Sequence, residues 1–484
     1  MTTRQQATQY TDTPQTPLGL EPTARALAPS ATLAMNEAIA TRRAAGREVI
    51  HLGFGEASFP LHPLLREALA RAATQTSYAP VLGIPALREA IAGYLTRTRG
   101  LQIAAEQVIV GPGSKPLLFA LLQVLHGDLL LPSPSWVSYA PQAALAGKRV
   151  IPVEVDPADR HRLTPEALNA ALHAPPQPAR TPAVHAPSQA PAEIPALQAP
   201  RLLLVNTPNN PTGSMFAAED AEAVALWVRE QGITLLSDEI YAELVHGWRA
   251  HASPARFYPE GTIVTGGLSK AFSAGGWRLG YAALPAGEAG RRVMSAVQAI
   301  ASEVWSSAAT PVQAAAVLAF SPNAEVETYV RRSAQLHGYI TGRLYATLAD
   351  LGVPCPRPAG GFYLYPDFAP WRGTLAARGV RTSADLARLL LEEWDIAALP
   401  GVDFCEGPEV LRLRMATSML CLPLGATTPE QREVALWRLL EATEALPDTD
   451  PAAGAPLPLP ALELAQERLA AFVHSLGSQE ITHA

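Results

Sequence analysis

Cysteine is scarce in this chain: three in 484 residues. Cys355, Cys405 and Cys421 lie far apart without metal-ligand spacing, so neither a zinc site nor a disulfide framework follows, and no metal is expected. Aromatic residues make up 6% and charged residues 17% of the chain, and lysine is rare beside abundant alanine, proline and arginine. No basic-then-apolar leader opens Met1–Glu21, and no apolar run approaches membrane-spanning length. The net charge of −7 argues against nucleic acid or an anionic membrane as a partner. A cytoplasmic protein is the simplest inference.

What is present is a large apolar fraction, 48% of the residues, enough for a sizeable core and two domains. Short apolar runs alternate with helical patterns. Strands are expected at Gln107–Val110, Asp128–Leu131, Arg149–Val155, Arg201–Asn206, Ile233–Ser237, Thr262–Thr265 and Leu279–Leu284, with helical stretches such as Ala218–Glu230 between them. Such alternation predicts an α/β fold, a mostly parallel seven-stranded sheet sandwiched by helices. Long helices at Pro311–Phe320 and Glu325–Leu351 lead into a second, smaller α+β domain with strands near Gly361–Tyr365 and Val410–Met415. The expected division is an N-terminal arm at 1–60 joining the small domain, a large domain at 61–315, the small domain at 316–446, and a linker and tail helix at 447–484. Ligands of open sheets of this kind bind beyond the carboxyl ends of the strands.

Three segments supply chemistry at those ends. Asn210-Pro211-Thr212-Gly213 comes first, Asp238-Glu239-Ile240-Tyr241 second, and Ser269-Lys270 third, with Arg278 eight residues after the lysine. Each alone is commonplace: a turn, an acidic helix start, a solvated loop. Together and in this order they offer an amine, a carboxylate, a phenol, an amide and an arginine, the set needed to hold pyridoxal 5'-phosphate. The Lys270 amine can condense with the cofactor aldehyde and, once displaced by an amino acid, shuttle a proton. Asp238 suits the protonated ring nitrogen, since an opposite charge nearby favours the charged form. Tyr241 and Asn210 are suited to the ring 3'-oxygen, and Arg278 can grip the phosphate in a bidentate way.

From about Leu52 to about Ser418 the chain resembles the class I/II aminotransferases, fold-type I pyridoxal-phosphate enzymes akin to aspartate aminotransferase. The resemblance is carried by Leu268–Gly280 (LSKAFSAGGWRLG) around Lys270 and by Asn210–Gly213. It implies that the Gly55-Glu56 backbone meets the substrate carboxylate and that Tyr78 reaches the phosphate of a neighbouring subunit. A homodimer with shared active sites follows from that. Gly113-Ser114-Lys115, opening an apolar helix, would seat the phosphate at a helix N-terminus. Trp136 would stack on the pyridine ring, and Ser269 would add a phosphate contact. Gly275 departs from the family, where threonine or serine is common.

The substrate-carboxylate arginine of such enzymes lies in an Arg-apolar-Ser-apolar-Ala strand, and this chain has Leu411–Ser418 (LRLRMATS). Aligning Ala-Thr-Ser makes Arg412 the ligand and puts Arg414 where serine is usual. Strand alternation places both on one face, so Arg414 can compete or add positive charge. Two segments fall outside this frame: the proline- and alanine-rich insertion 173–200, expected to be flexible or extended, and the tail, whose Ala461–Leu476 reads as an amphipathic helix. Both read as surface elaborations, with partner binding by the tail helix as the lesser alternative. The expected activity is transfer of an amino group from an α-amino acid to a 2-oxo acid. The alternatives are an α-carbon lyase or ring-forming enzyme on the same fold, and, less favoured, a cofactor-sensing regulator, for which the first fifty residues show no DNA-binding pattern.

Overall fold

The computed structural model describes residues 31–174, 201–247, 250–423, 428–448 and 450–477. Most of the proline-rich insertion and the first thirty residues of the arm lie outside the described residues. The strands, in chain order, are β1 Ile50–His51, β2 Val108–Gly111, β3 Asp128–Ser133, β4 Val150–Glu154, β5 Arg201–Asn206, β6 Thr234–Asp238, β7 Thr262–Gly267, β8 Gly280–Ala283, β9 Tyr363–Leu364, β10 Ile396–Ala397, β11 Leu399–Pro400 and β12 Leu413–Ala416.

Seven of them form one sheet in the order β2-β8-β7-β6-β5-β3-β4. The pairs from β4 through β7 are parallel, while β8 runs antiparallel to both its neighbours. All seven expected strands are present, each within a residue or two of its expected bounds. Their interior residues are buried on both faces: Leu202, Leu203, Leu204, Leu235 and Leu236 are all within 1% of full burial. That two-sided burial explains why these runs are continuously apolar rather than alternating. One face packs on helices Ser114–Val124 and Gly287–Val304, the other on Ala218–Glu230 and Pro165–His173.

A smaller unit gathers around helix Ala324–Asp350. It holds the three-stranded sheet β11-β12-β9 and the pair β1-β10, which ties the N-terminal segment in by parallel pairing of Ile50 with Ile396. Arg42 and Arg47 both bond the carboxylate of Asp395, anchoring helix Ala31–Ala44 to the same unit.

The tail helix forms, but its apolar face is already occupied. Pro460–Ser475 buries Leu462, Leu469, Phe472 and Val473 in the same core as Leu336, Ile340 and Leu390. Phe472 packs between Phe368 and Trp394, with ring centroids 5.6 and 5.9 Å away. Gln466 donates to Thr347 at 2.7 Å, and Arg468 donates to the carbonyl of Glu48 at 2.7 Å. A helix so covered is a structural part of the smaller unit, which corrects its reading as a surface elaboration. Phe472→Ala should therefore lower stability by about 3–5 kcal/mol, the usual loss for a large aromatic emptied from a core. Urea unfolding measures this, and a change below about 1 kcal/mol would contradict the packing described.

Candidate active site

The carboxyl ends of β5, β6 and β7 and the loops after them open on a cavity of about 480 Å³. Asp238 is the last residue of β6 and is fully buried. The hydroxyl of Tyr139 donates to its Oδ2 at 2.7 Å and that of Thr265 to its Oδ1 at 3.1 Å. Burial pushes the carboxyl up to about 6, while the two hydroxyl donors pull the other way. Lys270 follows β7, and its Nζ donates to the carbonyl of Gly55 at 2.7 Å. Burial lowers its amine to about 8, helped by Arg414 and Arg278 and opposed chiefly by Glu56.

Tyr241 lies three residues beyond Asp238, buried, with its hydroxyl 2.6 Å from that of Tyr363. Asn210 is held through its backbone N–H by Asn206, and its side-chain Oδ1 is buried with no hydrogen-bond partner. Trp136 stands edge-on to Tyr139 with ring centroids 5.1 Å apart, and the Lys115 amine lies 4.9 Å from its ring centroid. Burial lowers the Lys115 amine, and Arg278 lowers it further.

Gly113 sits at φ +99° as the N-cap of helix Ser114–Val124. A Cβ there would come within 2.6 Å of Nη2 of Arg278, so a glycine lets the guanidinium lie against the helix N-terminus. Arg278 itself adopts φ +50° and donates from Nη1 to the carbonyl of Gly275 at 2.7 Å.

Of the residues singled out in the sequence, Gly55, Ser114, Lys115, Trp136, Asn210, Asp238, Tyr241, Ser269, Lys270 and Arg278 line the one cavity. Gly113 stands behind it, against Arg278. Tyr78 does not reach it: the side chain is 92% exposed.

Arg412 is the correction. It is absent from the cavity wall, and its guanidinium is committed to Asp367 through Nε at 2.8 Å and to Glu406 through Nη1 at 2.5 Å. Burial would lower the guanidinium, but those two carboxylates outweigh it and hold Arg412 above its usual value. Two residues along a strand span about 6.6 Å, enough to put one arginine in the cavity and its same-face neighbour beyond the edge. Of the two strand arginines it is Arg414 that lines the cavity, 3% exposed, stacked between Tyr363 and Phe404 and donating from Nη2 to the Gly53 carbonyl at 2.5 Å. Its Nε is buried with no partner. Motif alignment points to Arg412; in the structure its guanidinium is held by Asp367, 45 residues away, and by Glu406, six residues away.

Sequence reasoning also passed over Tyr139, Thr265 and Tyr363. Tyr139 carried a usable signal, one helical turn after Trp136, whereas Tyr363 and Thr265 are ordinary strand residues until the fold brings them in.

These groups fit pyridoxal phosphate. A helix N-terminus with Ser114, Ser269 and Arg278 suits a phosphate, a buried carboxylate suits a ring nitrogen, and the amide nitrogen of Asn210 and the hydroxyl of Tyr241, both on the cavity wall, suit a ring oxygen as donors. The profile of the family described as aminotransferase class I and II matches residues 47–420. The aspartate aminotransferase of Geobacillus stearothermophilus is 36% identical over 402 residues, covering 81% of this chain and 93% of its own. The aspartate/prephenate aminotransferase of Thermus thermophilus is 35% identical, covering 83% and 95%. Among solved structures, the Thermus thermophilus aspartate aminotransferase with maleate superposes with a TM-score of 0.70 at 32% identity, covering 88% of this chain and 99% of that one.

An amine held near 8 is neutral in about one molecule in ten at pH 7, against fewer than about one in a thousand for an ordinary lysine. Only the neutral amine attacks an aldehyde. Capture of pyridoxal phosphate by the apoprotein should therefore rise with pH and level off just above about 8. Stopped-flow absorbance follows it. A rate still climbing tenfold per unit beyond about pH 9.5 would mean that Lys270 behaves as an ordinary surface lysine.

Proposed function

The chain belongs to the class I and II aminotransferase family, and from that premise we propose which of its residues carry the reaction. It is a pyridoxal 5'-phosphate-dependent transaminase that moves an amino group between an amino acid and a 2-oxo acid. When bound, the cofactor supplies an electron sink for charge developing at the substrate α-carbon.

Lys270 would hold the cofactor and move the proton, its Nζ taking it from the substrate α-carbon and delivering it to the cofactor carbon that keeps the amino group, a task suited to an amine held near 8. Asp238 faces the ring nitrogen as a carboxylate, pinned by Tyr139 and Thr265. Tyr241 and Asn210 serve the ring 3'-oxygen, and Trp136 covers one ring face. Gly113, Ser114, Ser269 and Arg278 receive the phosphate, with Lys115 adding positive charge nearby. Arg414 takes the substrate α-carboxylate, supported by its unpaired buried Nε, and the Gly55 backbone closes on the same group.

An acidic donor such as aspartate fits this assignment. With Lys270, Arg278 and Arg414 assigned, Lys115 is the remaining cation of the cavity wall and can also meet a second carboxylate. The named relatives act on aspartate or on aspartate and prephenate. Residues 61–315 form the large domain, and the small domain runs from 316 through the tail helix, joined by the N-terminal arm. No helix among the described residues is long and apolar enough to cross a membrane, and the cytoplasm is the proposed compartment.

The single observation carrying this reading is Lys270, Asp238, Tyr241, Asn210 and Arg278 on one cavity. With aspartate and no acceptor, the holoenzyme should release about one equivalent of oxaloacetate per site and stop, as expected of covalent catalysis in two halves. Adding a 2-oxo acid should restart turnover, and Lys270→Ala should abolish both. Borohydride reduction should label Lys270 rather than Lys115 or Lys148. Continuous release of ammonia without an acceptor would instead identify a lyase.

The exposed Tyr78 supports a homodimer in which it meets the neighbouring subunit's phosphate. Tyr78→Phe should then weaken cofactor binding by about 1.5–3 kcal/mol, one hydrogen bond to a charged group. Sedimentation at assay concentration checks the assembly, and a fully active monomer would refute it.

A further inference from the structure

Tyr363 is a polar group on the cavity wall to which the roles above assign nothing. It is 1% exposed, in β9, and its hydroxyl meets that of Tyr241 at 2.6 Å. The guanidinium of Arg414 lies over its ring, 5.1 Å from the centroid. The Gly55 backbone, whose carbonyl accepts from Lys270, is pressed so close that a Cβ at Gly55 would overlap the Tyr363 hydroxyl. One phenol thus touches the cofactor-oxygen residue, the carboxylate residue and the loop that holds the reacting amine.

Counting donors sets a direction. A phenol has one proton, and an arginine can only donate. If Tyr241 donates to the ring 3'-oxygen, its own oxygen must accept, so Tyr363 is the donor in the 2.6 Å bond. The Tyr363 oxygen is then free only to accept, and Arg414 is the cation beside it. Donation then runs from Tyr363 to Tyr241 to the ring oxygen, with the Arg414 guanidinium over the Tyr363 ring at the head of the chain.

We propose that Tyr363 is a positioning residue that relays the charge state of Arg414 to Tyr241, coupling substrate-carboxylate binding to the cofactor's ring oxygen. It rests on the assignments of Arg414 and Tyr241 made above. A carboxylate that neutralises Arg414 weakens its pull on the Tyr363 oxygen, so Tyr363 becomes a poorer donor to Tyr241, and Tyr241 a poorer donor to the ring oxygen. Arg414 opposes the upward push of burial on both phenols, as that coupling requires.

The test is a pH titration of the visible absorbance of the holoenzyme, with and without saturating succinate, a carboxylate probe with no amino group to react. In the native enzyme succinate should displace the titration midpoint by about one pH unit, the equivalent of one hydrogen bond. Tyr363→Phe keeps the ring beneath Arg414 and removes only the hydroxyl. It should retain pyridoxal phosphate through dialysis while losing more than about half of that displacement. Should this variant fail to fold, Tyr241→Phe cuts the same chain on its other side and should lose the displacement as well. A response to succinate kept whole in the variant overturns the relay and leaves Arg414 as the carboxylate ligand. A native midpoint indifferent to bound succinate overturns the relay together with the Arg414 assignment. A purely structural role for Tyr363 would lower thermal stability without touching the succinate displacement, and that result also overturns the relay.

Discussion

The cavity depends on Asp238, a carboxylate taken wholly out of water at the end of a central strand. Burial on this scale drives a carboxyl toward its neutral form, and here it does so to about 6. Two hydroxyl donors, from a neighbouring strand and from a helix start, hold both oxygens as acceptors. The surroundings are arranged around that cost. Glu239, next in the chain and also buried, is hydrogen-bonded by Ser237 and Ser253 and paired with Arg99 at 3.2 Å, so a second buried charge is balanced on its own. Asp238 therefore keeps an uncompensated charge for whatever cation enters above it, which is what a protonated ring nitrogen requires.

The positive groups obey the same logic with the sign reversed. Lys270, half-buried, and Arg414, buried, have backbone carbonyls as hydrogen-bond partners rather than carboxylates, which leaves their charge unpaired. Arg412, one strand step away on the same face, has two carboxylates and is spent on structure. The proposed choice between the two arginines rests on what else lies within about 4 Å of each guanidinium, since a carboxylate already in place leaves no room for the substrate's.

Much of the fold was legible in advance because its signal is local. A strand buried on both faces must be apolar throughout, and Arg201–Asn206 was expected and observed with identical bounds. The tail helix was visible from its leucines and Phe472, but where its face docks was not. Amphipathic spacing declares that a face must be covered without saying by what, and here the cover is the smaller unit's own core.

The sequence by itself determined the chemistry carried by contiguous motifs: Lys270 with Ser269 and Arg278, Asp238 with Tyr241, and Asn210 in its turn. These residues follow strand ends, so topology delivers them to one rim regardless of detail. Tertiary structure alone decided the contacts between side chains remote in the chain. Tyr139 and Thr265 reach Asp238 across separations of 99 and 27 residues, Tyr241 meets Tyr363 across 122, and Arg412 is captured by Asp367 across 45. Hydrogen bonds and ion pairs act over a few ångströms of space, and spacing along the chain carries no record of them until the fold has closed.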